Sequence, residues 1–271
     1  MIRADLYASF PWYDLPEMRS ATDAFWERLR ERLNARGIAD IPSTLDRVRP
    51  HGTDRDGAAL FTQTCGYPLF TTARGHFTIL GAPRYRVPGC EGSLHRSFIV
   101  VRATETIRDL AGLRGKRFAI NEVDSNSGMN LPRRLFAPLA RGAHFFSSTV
   151  VTGSHAASAA LVASGGADAA AIDCVTHALL KRYRPSAVRN LRIIAETLSS
   201  PTPPLVTSIY SSMALVAELR GALLELTSSH ADAPICEALF LAGMDICDVT
   251  AYDVIVTYER EAERLDYALL A

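Results

Sequence analysis

The chain has 271 residues, of which 48% are hydrophobic and 21% charged, and its 29 basic side chains equal its 29 acidic ones. This length suffices for two domains of ordinary size with a substantial core. The balanced charge excludes an overall basic field for nucleic acid or an anionic membrane, so recognition must be local. No stretch approaches the roughly 18 uninterrupted apolar residues of a spanning helix, so we expect no membrane insertion.

The first elements predicted along the chain form a strand and a helix. A short apolar strand is predicted over residues 5–10. The following helix is expected to start with Asp14 as its N-cap and to end at Gly37. Further strands are indicated by apolar and β-branched runs over residues 59–63, 77–80 and 97–102.

The second half of the chain alternates more regularly between strands and helices. Strands are predicted over 117–120, 148–151, 167–173 and 191–197, with helices over 129–141, 155–164 and 174–183. Such alternation is typical of a mostly parallel sheet covered by helices on both faces. After a linker at 199–204 we expect one strand (205–210) and three helices.

This pattern predicts an α/β fold of two Rossmann-like lobes, with one lobe inserted in the other. The first lobe is assigned residues 1–97 plus 198–271, and the inserted second lobe residues 98–197. Two strands crossing between the lobes would form a hinge. The crevice between the lobes is then the expected ligand cleft.

Residues 121–128 join a predicted strand to a predicted helix and combine hydroxyl and amide side chains with a glycine. Free backbone N–H groups and the positive end of the helix dipole converge at such a point, which favours an anion. The same residue types are also typical of an ordinary N-cap. This stretch alone leaves both interpretations open.

Other candidate site residues follow the predicted strands, because ligands of α/β sheets bind at the carboxyl ends of strands. These loops offer neutral donors, aromatic rings, cationic groups and one acid, a set that suits a small anion with an organic or hydrogen-bonding part. The candidates are Tyr13, Tyr67, His95, Ser125, Asn126, Ser127, Gly128, His155 and Asp173. A capping role for His155 and a core role for either tyrosine are the alternatives.

Two of these candidates have distinct electrostatic expectations. His155 is predicted at a helix start, where the dipole lowers its pKa and a bound oxyanion would raise it. Asp173 ends an alanine-rich, apolar strand, so its carboxylate needs a partner.

Nucleophilic, metal and cofactor chemistry are not indicated. There is no G-x-S-x-G or H-E-x-x-H motif, no full glycine-rich phosphate loop, and no base near Ser127 in the sequence. The five cysteines lack metal-type spacing. Cys65 and Cys90 fall on loops of the same predicted lobe and are a candidate pair in an oxidising compartment, whereas Cys174 is expected to pack.

Seven segments in order carry a resemblance to a known family. They are Tyr13–Glu17, Gln63–Pro68, Gly89-Cys90, Asp109–Lys116, Ser125–Gly128, Gly153–His155 and Ala167–Asp173. Over almost its whole length the chain resembles the PhnD-like phosphate, phosphite and phosphonate solute-binding proteins of ABC transporters, within the PhnD/SsuA/transferrin group. The resemblance implies a type II periplasmic-binding-protein fold, a "Venus flytrap" that closes on a ligand for uptake.

The resemblance also implies roles for individual residues. The family's oxyanion-binding helix start falls on Ser125–Gly128, its oxyanion histidine on His155, its amine-contacting acid on Asp173, and a cleft tyrosine near His95. Three departures point away from an aminoalkyl phosphonate: Asn126 replaces a threonine, His95 stands where an aromatic hydroxyl is expected, and Ser200–Pro204 lacks a second acid.

The implied partners are a small anionic or polar organic ligand and an ABC permease, with no cofactor and a monomeric state. The family is periplasmic, but the first residues, with Arg3, Asp5 and no apolar run, are not typical of a secretory leader. Either a leader was removed or the protein is cytoplasmic. A second hypothesis follows, since leaderless enzymes of menaquinone and thiamine-precursor biosynthesis share this fold and act on small organic acids.

Overall fold

The computed structural model describes residues 6–49, 54 and 57–271. Its strands are β1 (Tyr7–Ala8), β2 (Ala59–Gln63), β3 (Phe77–Tyr85), β4 (Leu94–His95), β5 (Ser97–Arg102), β6 (Arg117–Ile120), β7 (Ser148–Val151), β8 (Ala169–Asp173), β9 (Leu191–Glu196), β10 (Ser200–Pro201), β11 (Leu205–Ser208) and β12 (Leu241–Asp245). Its α-helices are α1 (Arg19–Ala35), α2 (Leu131–Ala140), α3 (His155–Ala163), α4 (Cys174–Tyr183), α5 (Pro185–Val188), α6 (Met213–Ser228), α7 (Ala233–Ala238) and α8 (Asp253–Glu263). Residues 1–5, on which the expectation about a secretory leader depends, lie outside the described residues.

The chain divides into two compact units. The first contains the described residues of Met1–Arg86 together with Glu91–Ser93 and Pro201–Tyr252. The second contains Val87–Cys90, Leu94–Ser200 and Asp253–Ala271. The sequence assigned residues 253–271 to the first lobe, and the structure places them in the second unit.

Ion pairs and a backbone hydrogen bond explain why residues 253–271 belong to the second unit. Arg133 at the start of α2 pairs with Glu259 of α8 at 3.2 Å, and Arg134 pairs with Glu261. The backbone N–H of Phe145 also donates to the terminal Ala271 carbonyl at 2.6 Å. Partners more than 120 residues apart in the chain cannot be matched from sequence periodicity alone.

The first unit is built on a five-stranded sheet of order β1-β2-β11-β3-β12. Among the described residues of this unit, β1 and β2 pair in parallel, β11 is antiparallel to both β2 and β3, and β12 is antiparallel to β3. This sheet is therefore mostly antiparallel, because β11 and β12 both run against the strands beside them. Strand β12 was not predicted.

Helix α1 packs its apolar stripe into the core of the first unit, where Phe25, Leu29 and Leu33 are fully buried. Its predicted end at Gly37 is confirmed by a positive φ of 78°. The predicted Asp14 cap is wrong: a 3₁₀ turn at Pro16–Met18 precedes the helix, and Asp14 instead accepts a hydrogen bond from Thr22 Oγ1 at 2.9 Å.

The second unit has a five-stranded sheet of order β7-β6-β8-β5-β9. Strand β6 is parallel to β7 and β8, and β5 runs antiparallel to β8 and β9. The prediction of a mostly parallel sheet is therefore wrong for this unit, because β5 lies between β8 and β9 and runs against both. The first and last residues predicted for β5, β6, β7 and α4 are confirmed. The helix predicted from residue 129 starts earlier, with a π-helical turn at Asn126–Asn130 that continues into α2.

Within the part of the chain that the structure describes, no helix combines the length and apolarity that crossing a bilayer requires.

Candidate functional site

The nine predicted site residues are distributed over both units. Tyr13 and Tyr67 belong to the first unit, and the other seven belong to the second. Within the second unit the seven lie on four neighbouring features: the end of β4, the turn that starts the helix leading into α2, the start of α3, and the end of β8.

The helix start at Ser125–Gly128 is capped by its own first side chain. Ser125 is extended (φ −76°, ψ 131°), and its Oγ accepts a hydrogen bond from the Gly128 N–H at 3.0 Å. This is the ordinary N-cap interaction. Helix starts in general suit an anion, because their first N–H groups have no acceptor within the helix itself.

Buried polar contacts fix this helix start in place. Asn126 Nδ2 donates to Ser200 Oγ at 2.8 Å, and Asn126 Oδ1 accepts from Asn130 Nδ2 at 3.1 Å. Ser97 Oγ donates to the Ser127 carbonyl at 2.8 Å. Because Asn126 uses both ends of its amide in these bonds, its side chain positions the helix start.

Gly128 is required by its close neighbour Asn121. A Cβ at position 128 would overlap Asn121 Oδ1. Asn121 Oδ1 is buried and has no hydrogen-bond partner among the described residues. A side chain at position 128 would therefore displace Asn121 from the helix start.

Ser127 and His155 form a hydrogen-bonded pair that the sequence did not reveal. Ser127 Oγ lies 2.8 Å from His155 Nε2, and His155 Nδ1 lies 3.1 Å from the Ala171 carbonyl oxygen. The base beside Ser127, which was not visible in the sequence, is therefore His155, 28 residues further along the chain. A carbonyl oxygen only accepts, so Nδ1 carries the ring hydrogen, and in neutral His155 the Nε2 atom accepts the Ser127 hydroxyl hydrogen.

The surroundings favour the neutral form of His155. Burial lowers the pKa of His155, and this effect outweighs the opposing influence of Asp173 and of the Ala171 carbonyl. His155 opens α3, and Ser154 is that helix's cap, with its Oγ accepting from the Ala157 N–H at 3.1 Å. His155 is thus free of the capping role that was its alternative.

Asp173 has the partner that its burial demands. Its Oδ2 lies 2.6 Å from His95 Nδ1, and its Oδ1 accepts from the Thr176 N–H at 2.9 Å. Burial alone would raise the pKa of Asp173, but the charge and hydrogen bond of His95, with His155 and the Thr176 N–H, hold that pKa below its usual value. Each carboxylate oxygen therefore already has one partner within the protein.

The two tyrosines of the first unit differ in conformation. Tyr13 has a φ of 68°, in the left-handed region that costs a non-glycine residue roughly 1 kcal/mol or more, and its ring meets Tyr85 edge-on at 5.3 Å. Tyr67 is buried and precedes a 3₁₀ turn. Strained residues of this kind cluster at binding sites, which makes Tyr13 the stronger candidate of the two.

The cysteine arrangement differs from the candidate pair Cys65 and Cys90. All five cysteines are free thiols, and Cys90 Sγ lies 3.5 Å from Cys174 Sγ within the second unit. Gly89, with a φ of 92°, allows this approach, because a Cβ there would lie 2.8 Å from Cys174 Cβ. Cys174 is buried as expected, but its nearest sulfur neighbour is Cys90.

Metal binding has no obvious place among the residues described. Across residues 6–49, 54 and 57–271, no group of three or more His, Cys, Asp or Glu side chains is arranged to hold a metal ion.

Several residues that build the site were missed from the sequence. They are Ser97, Asn121, Ala171 and Ser200. The position of Asn121 directly after β6 was a usable signal, since strand ends carry site residues. Ala171 acts through its backbone, so no side-chain pattern marks it.

Comparison with protein families gives one match over nearly the whole chain. The model for periplasmic substrate-binding proteins of phosphonate ABC transporters matches residues 7–252. A search of curated protein sequences finds no relative.

Solved structures of similar fold include proteins from three bacteria. A binding-protein component of an ABC phosphonate transporter from Pseudomonas aeruginosa is 17% identical, with a TM-score of 0.75 over 96% of this chain and 87% of that one. PhnD1 from Prochlorococcus marinus, in complex with methylphosphonate, is 16% identical, with a TM-score of 0.74 over 96% and 99%. XAC2383 from Xanthomonas citri, bound to chloride, is 19% identical, with a TM-score of 0.72 over 97% and 99%, and it has also been solved bound to ATP. These likenesses show that the two-unit chain has the periplasmic-binding-protein fold.

Proposed function

The chain belongs to the family of periplasmic substrate-binding proteins of phosphonate ABC transporters, and on this premise we propose that its second unit holds the oxyanion of a phosphate- or phosphonate-class solute. The chain is thus a solute-binding protein whose family captures small ligands for uptake.

The contact between Ser127 and His155 carries this proposal. The pair joins the start of the helix leading into α2 to the start of α3, with 2.8 Å between Ser127 Oγ and His155 Nε2. Both helix starts present N–H groups and the positive ends of their dipoles. The Ser127 hydroxyl, held by His155, and the backbone N–H groups of the two helix starts together provide the polar surroundings that an oxyanion requires.

The state of Asp173 favours a ligand without an amine. An ammonium group would need a carboxylate, and both oxygens of Asp173 are engaged by His95 and by the Thr176 N–H. We therefore propose simple phosphonates and phosphate ahead of aminoalkyl phosphonates. Methylphosphonate, found with PhnD1, and the phosphates of ATP, found with XAC2383, share this end-group chemistry and belong in the test.

A binding role accounts for the Ser127–His155 pair better than an enzymatic one. In serine catalysis a carboxylate faces the second histidine nitrogen and stabilises the imidazolium. Here that nitrogen faces the neutral carbonyl of Ala171, and burial lowers the pKa of His155. We propose that the protein is not an enzyme and that it delivers its ligand, as a periplasmic monomer, to an ABC permease. Tyr13 and Tyr67 stay predictions as further ligand contacts.

Isothermal titration calorimetry with phosphate, methylphosphonate, 2-aminoethylphosphonate, sulfate and ATP tests this proposal. Ser127→Ala and His155→Ala should each weaken binding by about 1–3 kcal/mol if they contact a charged ligand. Ser164→Ala and His144→Ala, at exposed positions of the same unit, are the matched controls and should leave affinity unchanged. Absence of binding by all five ligands, or equal effects of site and control variants, would remove the oxyanion assignment.

A further inference from the structure

The hydrogen-bond donors of the Ser127–His155 pair can be counted. The Ala171 carbonyl takes the hydrogen on His155 Nδ1, at 3.1 Å. The Nε2 atom of neutral His155 then takes the single hydroxyl hydrogen of Ser127, at 2.8 Å. With its hydrogen used, Ser127 Oγ has only lone pairs left for a ligand. Ser127 is therefore an acceptor towards anything else that binds there.

An acceptor at an oxyanion site restricts which oxyanions fit. A fully deprotonated oxygen placed against Ser127 Oγ would meet a lone pair, which is unfavourable in a buried site. A ligand oxygen that carries a hydrogen can donate it to Ser127 Oγ instead. We propose that the Ser127–His155 pair selects oxyanions that bear a proton, such as hydrogen phosphate and hydrogen phosphonates, over sulfate and sulfonates. This inference rests on the proposed function.

The groups around His155 support the neutral form on which this donor count depends. The titratable groups that face His155 among the described residues are Asp173, at the end of β8, and His95, on β4. They form their own pair, with 2.6 Å between His95 Nδ1 and Asp173 Oδ2, so the Asp173 carboxylate is turned to His95. Burial accordingly dominates at His155 and lowers its pKa.

The selection has a direct consequence for pH dependence. Phosphate monoesters and alkyl phosphonates carry a hydrogen on oxygen below their second pKa, near 6 for a phosphate ester, and lose it above, whereas inorganic phosphate still carries one as HPO₄²⁻. Above that pKa a monoester or an alkyl phosphonate must take up a proton to bind. Affinity should therefore fall by about tenfold for each pH unit above the second pKa of the ligand. Sulfate and methanesulfonate have no such hydrogen at neutral pH, so they should bind weakly throughout.

Calorimetry of the full chain with methylphosphonate at about pH 6 and about pH 8.5 tests the inference, because the ligand is on opposite sides of its second ionisation at these values. Titrations at each pH in two buffers of different ionisation enthalpy give the number of protons taken up. We expect close to one proton at the higher pH, close to none at the lower, and sulfate and methanesulfonate at least about tenfold weaker than methylphosphonate at the lower pH. Binding at the higher pH without proton uptake, or equal affinity for methanesulfonate, would overturn the inference.

His155→Gln supplies an independent readout. A glutamine amide can donate an N–H to Ser127 Oγ at every pH, which frees the hydroxyl hydrogen for a deprotonated oxygen. The preference over sulfate should then shrink, whereas His144→Gln, on the exposed surface of the same unit, should preserve it. An unchanged preference in a folded His155→Gln variant would contradict the role of this pair. If the wild-type protein binds no oxyanion at all, the proposed function itself fails. If it binds methylphosphonate at the higher pH without proton uptake, only the present inference fails.

Discussion

Replacing His95 by alanine tests how Asp173 is held. The Asp173 carboxylate is only 2% exposed, and His95, itself 2% exposed, lies 2.6 Å from it. The His95→Ala variant leaves a buried charge with the Thr176 N–H as its remaining donor. Breaking such a buried pair costs about 3–5 kcal/mol of unfolding free energy. The retained Thr176 bond places our expectation at the lower end, about 3 kcal/mol.

Urea unfolding followed by circular dichroism at neutral pH measures this loss. The adjacent Arg96→Ala variant is the control, because its ion pair with Glu196 at 2.8 Å is between side chains that are 27% and 49% exposed. Such a pair contributes about 0–1 kcal/mol. His95→Asn, which keeps an N–H donor, should recover part of the stability. Similar losses in His95→Ala and Arg96→Ala would refute the reasoning.

For the same His95→Ala variant we expect a stability loss that depends on pH and a change in ligand preference. The folded-state pKa of Asp173 is depressed, so its contribution is present above the ordinary value of 3.8 and is lost as pH falls through the folded pKa. The difference between wild type and His95→Ala should therefore shrink in acid. At neutral pH the released carboxylate should raise affinity for 2-aminoethylphosphonate relative to methylphosphonate, as measured by calorimetry.

Three further predictions concern other parts of the chain. Gly128→Ala should lower the thermal midpoint and weaken oxyanion binding, and Asn121→Ala in the same chain should restore part of both, because the new Cβ meets Asn121 Oδ1. Oxidised glutathione should join Cys90 to Cys174 in a disulfide, releasing two reduced glutathiones; peptide mapping checks this, and a bridge from Cys90 to another cysteine would contradict it. Deleting residues 253–271 should destabilise the second unit, as seen by hydrogen exchange faster than in the full chain.

Local patterns of the sequence predicted most elements of the fold, because they depend on neighbouring residues. The bounds of β2, β5, β6, β7 and α4 came directly from apolar runs and breakers. Strand direction was less accessible, since β11 pairs with β2 and β3, which precede it by more than 100 residues. The assignment of α8 failed for the same reason, as its partners lie on α2.

The candidate site residues were proposed from residue type, but the hydrogen bonds among them depend on strand register. Ser97 of β5 lies opposite Asp173 of β8 in the antiparallel pair, and this register brings His95, two residues before Ser97, to the carboxylate. A separation of 78 residues conceals that pairing in the sequence. The need of Asp173 for a partner was predictable from burial, whereas the identity of the partner was not.

The need for a proton-bearing ligand at Ser127 depends on a backbone atom, the Ala171 carbonyl oxygen, and for this reason no sequence motif indicates it. If a carboxylate faced His155 Nδ1, it would favour the charged imidazole, and Nε2 would then donate to Ser127 and free its hydroxyl hydrogen for a deprotonated anion. The Ala171 carbonyl holds the same ring in the same tautomer without supplying a charge. Burial can therefore keep His155 neutral, and the hydrogen that completes the site has to come from the ligand. Selection for a proton-bearing oxyanion thus follows from which acceptor lies behind the histidine, and not from the serine and histidine alone.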